Sequence, residues 1–182
     1  MTAKIWGVVF LFLAPFAGRG EGAVPDREEY VTITAKLSHD GVHGGSYFRA
    51  ALFLTVRKGW HINSASPSDE NLIATSASFL PPPGLRVTGV RYPRGESKKV
   101  AFSDSTLDVY EGTVVIILKI AAAAEMKPGA YTLPVEISYQ ACNKEVCLVP
   151  ATVKVVIPVR VLSPHVHPTP VNPGLFPGST NE

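Results

Sequence analysis

Two cysteines, Cys142 and Cys147, are the only residues of their type in the chain, and four residues separate them. Two thiols can join as a disulfide and can exchange with the disulfide of another protein through a mixed disulfide. The segments on either side, 131–139 and 151–157, are rich in the β-branched and aromatic residues typical of strands. The pattern predicts a β-hairpin with the cysteines facing each other. Their Cα atoms would then lie roughly 4.5–5.5 Å apart, which a disulfide accepts.

The predicted disulfide has two interpretations, a structural staple or a redox pair. A ring of about six residues restrains the unfolded chain by only ~2 kcal/mol, against ~4.7 kcal/mol for a ring of about a hundred. A hairpin tip is therefore a poor place for a staple, and a partner can reach it. Lys144 favours a thiolate by its charge, whereas Glu145 beside it opposes one. The residues alone leave both interpretations open.

Three stretches in order resemble the amino-terminal periplasmic domain of the DsbD family of thiol:disulfide interchange proteins. The stretches are Gly59-Trp60-His61-Ile62-Asn63-Ser64 with 67–70, Phe102-Ser103-Asp104 with 109–112, and the cysteine segment 139–150. With the strands between them they cover roughly residues 30–161. The resemblance implies an immunoglobulin-like antiparallel β-sandwich and a function in dithiol–disulfide exchange.

The resemblance also implies roles for the two cysteines and for a loop that shields them. It assigns the attacking thiolate to Cys147 and the resolving thiol to Cys142. The family covers the closed pair with an aromatic-bearing cap loop, for which the matching stretch is 102–110. Phe102 is the predicted cap residue, with Asp104 or Tyr110 as alternative neighbours and a plain core phenylalanine as the competing interpretation.

Two further residues would lie near the hairpin if the resemblance holds. His61 can stabilise a thiolate or shuttle a proton near neutral pH, or it is an ordinary satisfied or solvated histidine. Tyr139 either hydrogen-bonds near a sulfur or packs in its strand. We expect no cofactor and no metal site, and the pair His165 and His167 is interpreted as part of a solvated tail.

The sequence departs from the full-length family pattern in two ways. Four residues separate the cysteines here, where the best-known hairpin of the family has five. No second apolar span and no Cys-x-x-Cys follow the β domain. We therefore expect a separate membrane electron carrier as donor.

The expected partners are periplasmic thioredoxin-like proteins of the disulfide isomerase or cytochrome-maturation type. The alternative is an immunoglobulin-like binding or scaffold module with a purely structural disulfide.

The amino-terminal segment predicts export to the periplasm. Lys4 precedes about twelve mostly apolar residues, too few to span a bilayer comfortably, and small residues follow. We interpret residues 1–23 as a cleaved signal, with an uncleaved anchor as the alternative. Export allows a disulfide to persist. The net charge of +2 gives no basic face for nucleic acid.

The rest of the chain predicts one all-β domain, residues 24–161. Residues 30–37 alternate strictly between apolar and polar, as a half-buried strand does, whereas 47–56 is apolar on both faces and predicts a central strand. Short strands follow, separated by glycine and proline. Residues 121–127 fit either a helical turn or a strand end. Residues 162–182 are proline-rich without periodicity, which predicts an extended or disordered tail.

Overall fold

The fold is known from a computed structural model that describes residues 30–69, 71–99 and 106–177. The predicted export signal, residues 1–23, lies outside this part of the chain. Phe102 and Asp104, the predicted cap residue and its neighbour, also lie outside it. In the described part, no helix is long and apolar enough to cross a membrane.

The described residues form antiparallel strands joined into three sheets. The sheet orders are β1-β2-β8-β5, β11-β9-β4 and β10-β3-β7-β6. The strands are β1 (Val31–Leu37), β2 (Tyr47–Val56), β3 (His61–Asn63), β4 (Ser76–Phe79), β5 (Leu85–Arg91), β6 (Glu96–Lys99), β7 (Thr106–Tyr110), β8 (Thr113–Ala122), β9 (Gly129–Tyr139), β10 (Ala141–Cys142) and β11 (Ala151–Val161).

The two larger sheets have the strand order of an immunoglobulin domain. If β1, β2, β4, β5, β8, β9 and β11 are lettered A to G in chain order, the sheets read A-B-E-D and G-F-C. These are the two sheets of the constant-type immunoglobulin sandwich. The predicted all-β, immunoglobulin-like antiparallel β-sandwich is therefore confirmed.

The sequence patterns explain which strands are central and which face they bury. In β1, Val31 is buried and the alternating threonines are exposed, as the strict alternation predicts. Strand β2 pairs with β1 on one side and β8 on the other, in agreement with its apolar residues on both faces. Strand β8 runs on to Ala122, so residues 121–122 are a strand end and not a helical turn.

The main hydrophobic core lies between the inner faces of these two sheets. Leu52, Ile116 and Leu133, from three different strands, are completely buried there. Full burial of one such side chain contributes about 1.5–3 kcal/mol relative to leaving it exposed. The sandwich therefore supplies most of the hydrophobic stabilisation and acts as a rigid base.

The third sheet is built entirely from connections between sandwich strands. Strand β3 lies in the connection from β2 to β4, strands β6 and β7 lie in the connection from β5 to β8, and β10 lies between β9 and β11. In an immunoglobulin sandwich the loops cluster at the two ends. These three connections meet as one small sheet, and the cysteine hairpin belongs to it.

Part of the predicted tail packs against the sandwich. The N–H of Val171 donates to the carbonyl of Ser38 at 2.8 Å, and Asn172 Nδ2 donates to the carbonyl of Leu37 at 3.0 Å. Phe176 is only 2 % exposed. In the described residues 162–177, backbone hydrogen bonds and one buried aromatic side chain thus hold parts of the predicted extended or disordered tail against the sandwich, beyond the predicted domain end at 161.

Candidate functional site

Cys142 and Cys147 are joined by a disulfide at the tip of the hairpin between β9 and β11. Their Cα atoms are 4.0 Å apart, slightly less than the sequence-based expectation. The side chain of Asn143 shapes the turn between them, because its Oδ1 accepts the N–H groups of Glu145 and Val146, each at 2.8 Å. The predicted face-to-face arrangement of the two cysteines is therefore present, on a turn that a local hydrogen-bond network defines.

The base of the hairpin is tied to the third sheet by side-chain amides. Gln140 Nε2 donates to the carbonyl of Leu148 at 3.1 Å, across the hairpin. Asn63 Nδ2 donates to the Gln140 Oε1 at 3.3 Å and to the carbonyl of Ile73 at 3.0 Å. These contacts fix the cysteine turn relative to β3 and to the loop that follows it.

The two cysteines differ in exposure. Cys142 is fully buried, whereas Cys147 is partly exposed. Apolar side chains around the hairpin are open to solvent: Val146 is 46 % exposed and Val149 is 65 % exposed. A partner that approaches the tip therefore meets Cys147 and an apolar rim before it meets Cys142.

Strand β3 places His61 directly opposite Cys142. The antiparallel register pairs Cys142 with His61 and Ala141 with Ile62. Because side chains alternate along a strand, His61 and Cys142 share one face of the third sheet. Ile62 and Ala141 take the other face and join the main core.

The environment of His61 favours its neutral form. The residue is 7 % exposed, and its Nε2 is buried without a hydrogen-bond partner. Burial lowers the pKa of His61 below its ordinary value, the negative charge of Glu111 acts in the opposite direction, and Lys98 adds to the lowering. The ring beside the disulfide is therefore an uncharged imidazole near neutral pH.

An ion pair borders this histidine. Lys98 of β6 donates to the carboxylate of Glu111, the residue that follows β7. Glu96 lies 3.9 Å from the same ammonium group. The hydrogen bond to Glu111 raises the pKa of Lys98. The pair places one charge of each sign near His61, so their effects on the imidazole partly cancel.

Tyr110 and Tyr139 are both buried in the main core. Tyr110 pairs with Ile62 and faces the core, where its hydroxyl donates to the carbonyl of Pro93 at 2.8 Å and accepts the N–H of Ala65 at 3.1 Å. Burial raises the pKa of this phenol. Tyr139 is 1 % exposed and belongs to the main core. His61 is the predicted neighbour that the strand register places directly opposite Cys142.

Several residues of this site were not identified from the sequence as functional. Like His61 Nε2, the Oδ1 of Asn63 is buried without a hydrogen-bond partner, and Asn63 lies two positions from His61 on the same face of β3. This spacing of two was a sequence signal that Asn63 and His61 share a face. The ion pair of Lys98 and Glu111 had none: the two residues are thirteen positions apart, and although Glu111 lies in the stretch 109–112, no pattern relates it to Lys98. In the described ranges, no three His, Cys, Asp or Glu side chains converge as a metal site would require.

Comparison with known proteins gives one family and several structural relatives. Residues 37–158 match the family described as "Thiol:disulfide interchange protein DsbD, N-terminal". No curated protein is similar enough in sequence to match.

Three solved structures are similar in fold. The reduced DsbD n-terminal domain of Neisseria meningitidis is 16 % identical, with 79 % of this chain and 95 % of that chain covered and a TM-score of 0.47. The N-terminal periplasmic domain of ScsB from Proteus mirabilis is 14 % identical, with 73 % and 47 % covered and a TM-score of 0.49. A complex of the DsbD N-terminal and PilB N-terminal domains from N. meningitidis is 15 % identical, with 74 % of this chain and 87 % of that chain covered and a TM-score of 0.42. At these identities the likeness concerns the fold alone.

Proposed function

We propose, since this chain belongs to the family of DsbD amino-terminal domains, that it is an exported thiol:disulfide interchange domain that passes reducing equivalents to periplasmic proteins. Cys142 and Cys147 form its redox centre. The observation that carries the proposal is a disulfide at an exposed hairpin tip, closed across a short ring with one partly exposed cysteine. Such a bridge is open to exchange and adds little stability, because the ring it closes is short.

The difference in exposure supports Cys147 as the attacking residue. Its sulfur belongs to the partly exposed residue of the pair, and exchange requires direct contact between the attacking thiolate and the partner's disulfide. Cys142 is fully buried, so a partner's sulfur reaches it only with difficulty, while Cys147 is already beside it. This arrangement suits Cys142 to the resolving step.

The exchange balances as a two-electron transfer. In the dithiol state, the Cys147 thiolate attacks one sulfur of the partner's disulfide, and the partner's other sulfur leaves and takes a proton. A mixed disulfide results. Cys142 then attacks Cys147 Sγ, the intermolecular bond breaks, and the partner's second sulfur leaves and is protonated. The domain ends as the disulfide, and the partner ends as a dithiol.

The partners proposed are thioredoxin-like proteins of the disulfide isomerase or cytochrome-maturation type, with a separate membrane carrier that reduces the domain again. The exposed Val146 and Val149 beside Cys147 offer an apolar contact of the kind that an interface core uses. Phe102 is proposed as the cap over the closed pair, with Asp104 as its neighbour. Residues 1–23 are proposed as the cleaved signal that brings the domain to the periplasm.

Trapping of the mixed disulfide tests this function. The Cys142→Ser variant in its reduced state is mixed with an oxidised thioredoxin-like domain that has a Cys-x-x-Cys site. We expect a covalent complex that dithiothreitol dissolves, with the link mapped to Cys147 by peptide mass spectrometry. The variant cannot resolve the link, so the complex accumulates.

The matched control is Cys147→Ser, which keeps the buried thiol and removes the accessible one. It should give little or no complex. Equal trapping by both variants would refute the assignment of Cys147 as the attacking residue. Absence of a complex from both variants, with the wild-type disulfide inert to the partner, would favour the scaffold interpretation.

A further inference from the structure

Exchange through the two cysteines leaves one buried histidine beside them without a role. His61 lies directly across the ladder from Cys142, and the two side chains share a face. Its Nε2 is buried and has no hydrogen-bond partner. Nearly all buried polar atoms in proteins have a partner, so an unpaired ring nitrogen at this position requires an explanation.

The redox state of the cysteines explains why the ring nitrogen of His61 has no partner. Directly opposed residues in an antiparallel ladder have Cβ atoms about 4.5–5.5 Å apart, which leaves the imidazole within reach of the Cys142 sulfur. In the disulfide state this sulfur has no hydrogen to donate. In the dithiol state it has one, and the lone pair of a neutral imidazole nitrogen can accept it.

We propose that His61 is the proton acceptor for the resolving cysteine and takes the thiol proton of Cys142 through Nε2. This inference rests on the proposed exchange function and adds the residue that makes its second step possible. Burial disfavours a thiolate, and only the thiolate is nucleophilic, so a fully buried Cys142 needs a base next to it.

The charges around His61 suit this role. A base must be neutral before it accepts a proton, and burial keeps His61 neutral near pH 7. Glu111, which follows β7, favours the imidazolium once it has formed, whereas Lys98 of β6 opposes it. Glu96, also on β6, lies 3.9 Å from the Lys98 ammonium and weakens that opposition.

The step balances in atoms and electrons. The proton of Cys142 moves to His61 Nε2, and the sulfur keeps the electron pair. That thiolate attacks Cys147 Sγ, the bond from Cys147 to the partner breaks, and the partner's sulfur leaves with the bonding pair. The leaving sulfur takes the proton from the imidazolium, which returns His61 to its neutral form.

A small aromatic disulfide isolates this step from any protein partner. The reduced domain is mixed with DTNB in a stopped-flow instrument. Attack by Cys147 releases the first thionitrobenzoate and leaves the second on Cys147, and attack by Cys142 then releases it. The Cys142→Ser variant identifies the phases, because it should give the first release only.

We expect His61→Gln and His61→Phe to slow the second release by about 10²-fold, the lower range of general-base contributions. The first release should not change. In the wild type, the second rate should rise with pH as His61 loses its proton. In both variants this rise should move to higher pH, where Cys142 ionises without help. His165→Gln, at an exposed histidine of the tail, is the matched control and should behave as the wild type.

Three results separate the possible outcomes. A second release whose rate and pH profile are unchanged in both variants would overturn the role of His61. So would a loss of stability in urea unfolding without a shift in the pH profile, since that is the effect of a merely structural side chain. If the His61 variants slow the second DTNB release as expected but no thioredoxin-like partner is trapped, the proposed function would be contradicted and the role of His61 would stand.

Discussion

The sandwich buries Leu52, Ile116 and Leu133 completely, whereas the third sheet buries His61 and Asn63, each with one polar atom that lacks a partner. The sandwich strands are up to eleven residues long, and β10 and β3 have two and three residues. Hydrophobic burial is strong and nondirectional, while an unpaired buried polar atom costs about 1–3 kcal/mol. The sandwich thus provides stability, whereas the unpaired polar atoms beside the cysteine pair make the third sheet less stable.

The largest effect should come from a cavity in the sandwich. Leu52→Ala removes a fully buried side chain from β2 and should lower the free energy of unfolding by about 2–5 kcal/mol. Urea unfolding of the disulfide-bonded protein measures this. The reduction potential should not change, because the cavity lies in the other part of the molecule. A loss under about 1 kcal/mol would contradict the division of roles.

A smaller effect should come from the hydrogen bonds that join Tyr110 of β7 to the connections after β3 and before β6. Tyr110→Phe removes the hydroxyl that bonds both Ala65 and Pro93, and leaves those backbone groups unpaired. We expect a loss of about 1–3 kcal/mol in the same urea experiment. Tyr47→Phe, at a 44 % exposed tyrosine, is the control and should have almost no effect. Unchanged stability in Tyr110→Phe would show that these two hydrogen bonds are not needed.

Reduction of the disulfide should cost less than the core cavity does. A ring of about six residues restrains the unfolded chain by only ~2 kcal/mol. Calorimetry of the oxidised and reduced forms should therefore show a modest fall in the melting temperature, with both forms still unfolding cooperatively. A reduced form that no longer folds would indicate that the third sheet stabilises the sandwich, which reverses the comparison.

The smallest effect should be a pH dependence of stability at His61. Its pKa in the folded protein is below the ordinary value of 6.5, so the unfolded chain binds the proton more readily. Stability should therefore fall as the pH drops from just above 6.5 through the folded pKa, and should level off below it. Urea unfolding across this window in the wild type and in His61→Gln measures the contribution. An equal slope in both proteins would show that His61 does not titrate differently on folding.

The same contrast explains how much the sequence could predict. Strands such as β1 and β2 were recognisable because seven to ten residues carry a full apolar pattern. Strands of two to four residues, such as β10 and the polar β6, carry too little pattern to detect. The cysteine hairpin was predictable because its two strands are adjacent in the chain.

Side-chain contacts between distant segments were beyond the sequence. Asn63 and Gln140 are separated by 77 positions, and no periodicity relates them. The packing of the tail was missed for a similar reason. Phe176 is one of a few scattered apolar residues in a proline-rich segment without periodicity, and its burial depends on the sheet surface that it meets.

The reduction potential of Cys142 and Cys147 tests the central claim most directly. The full chain is equilibrated with glutathione buffers of stepped potential, and the dithiol fraction is counted by alkylation and mass spectrometry. A pair built for exchange should have a potential less negative than about −300 mV. A value well below that limit, typical of structural disulfides, would contradict the claim that this hairpin exchanges electrons with other proteins.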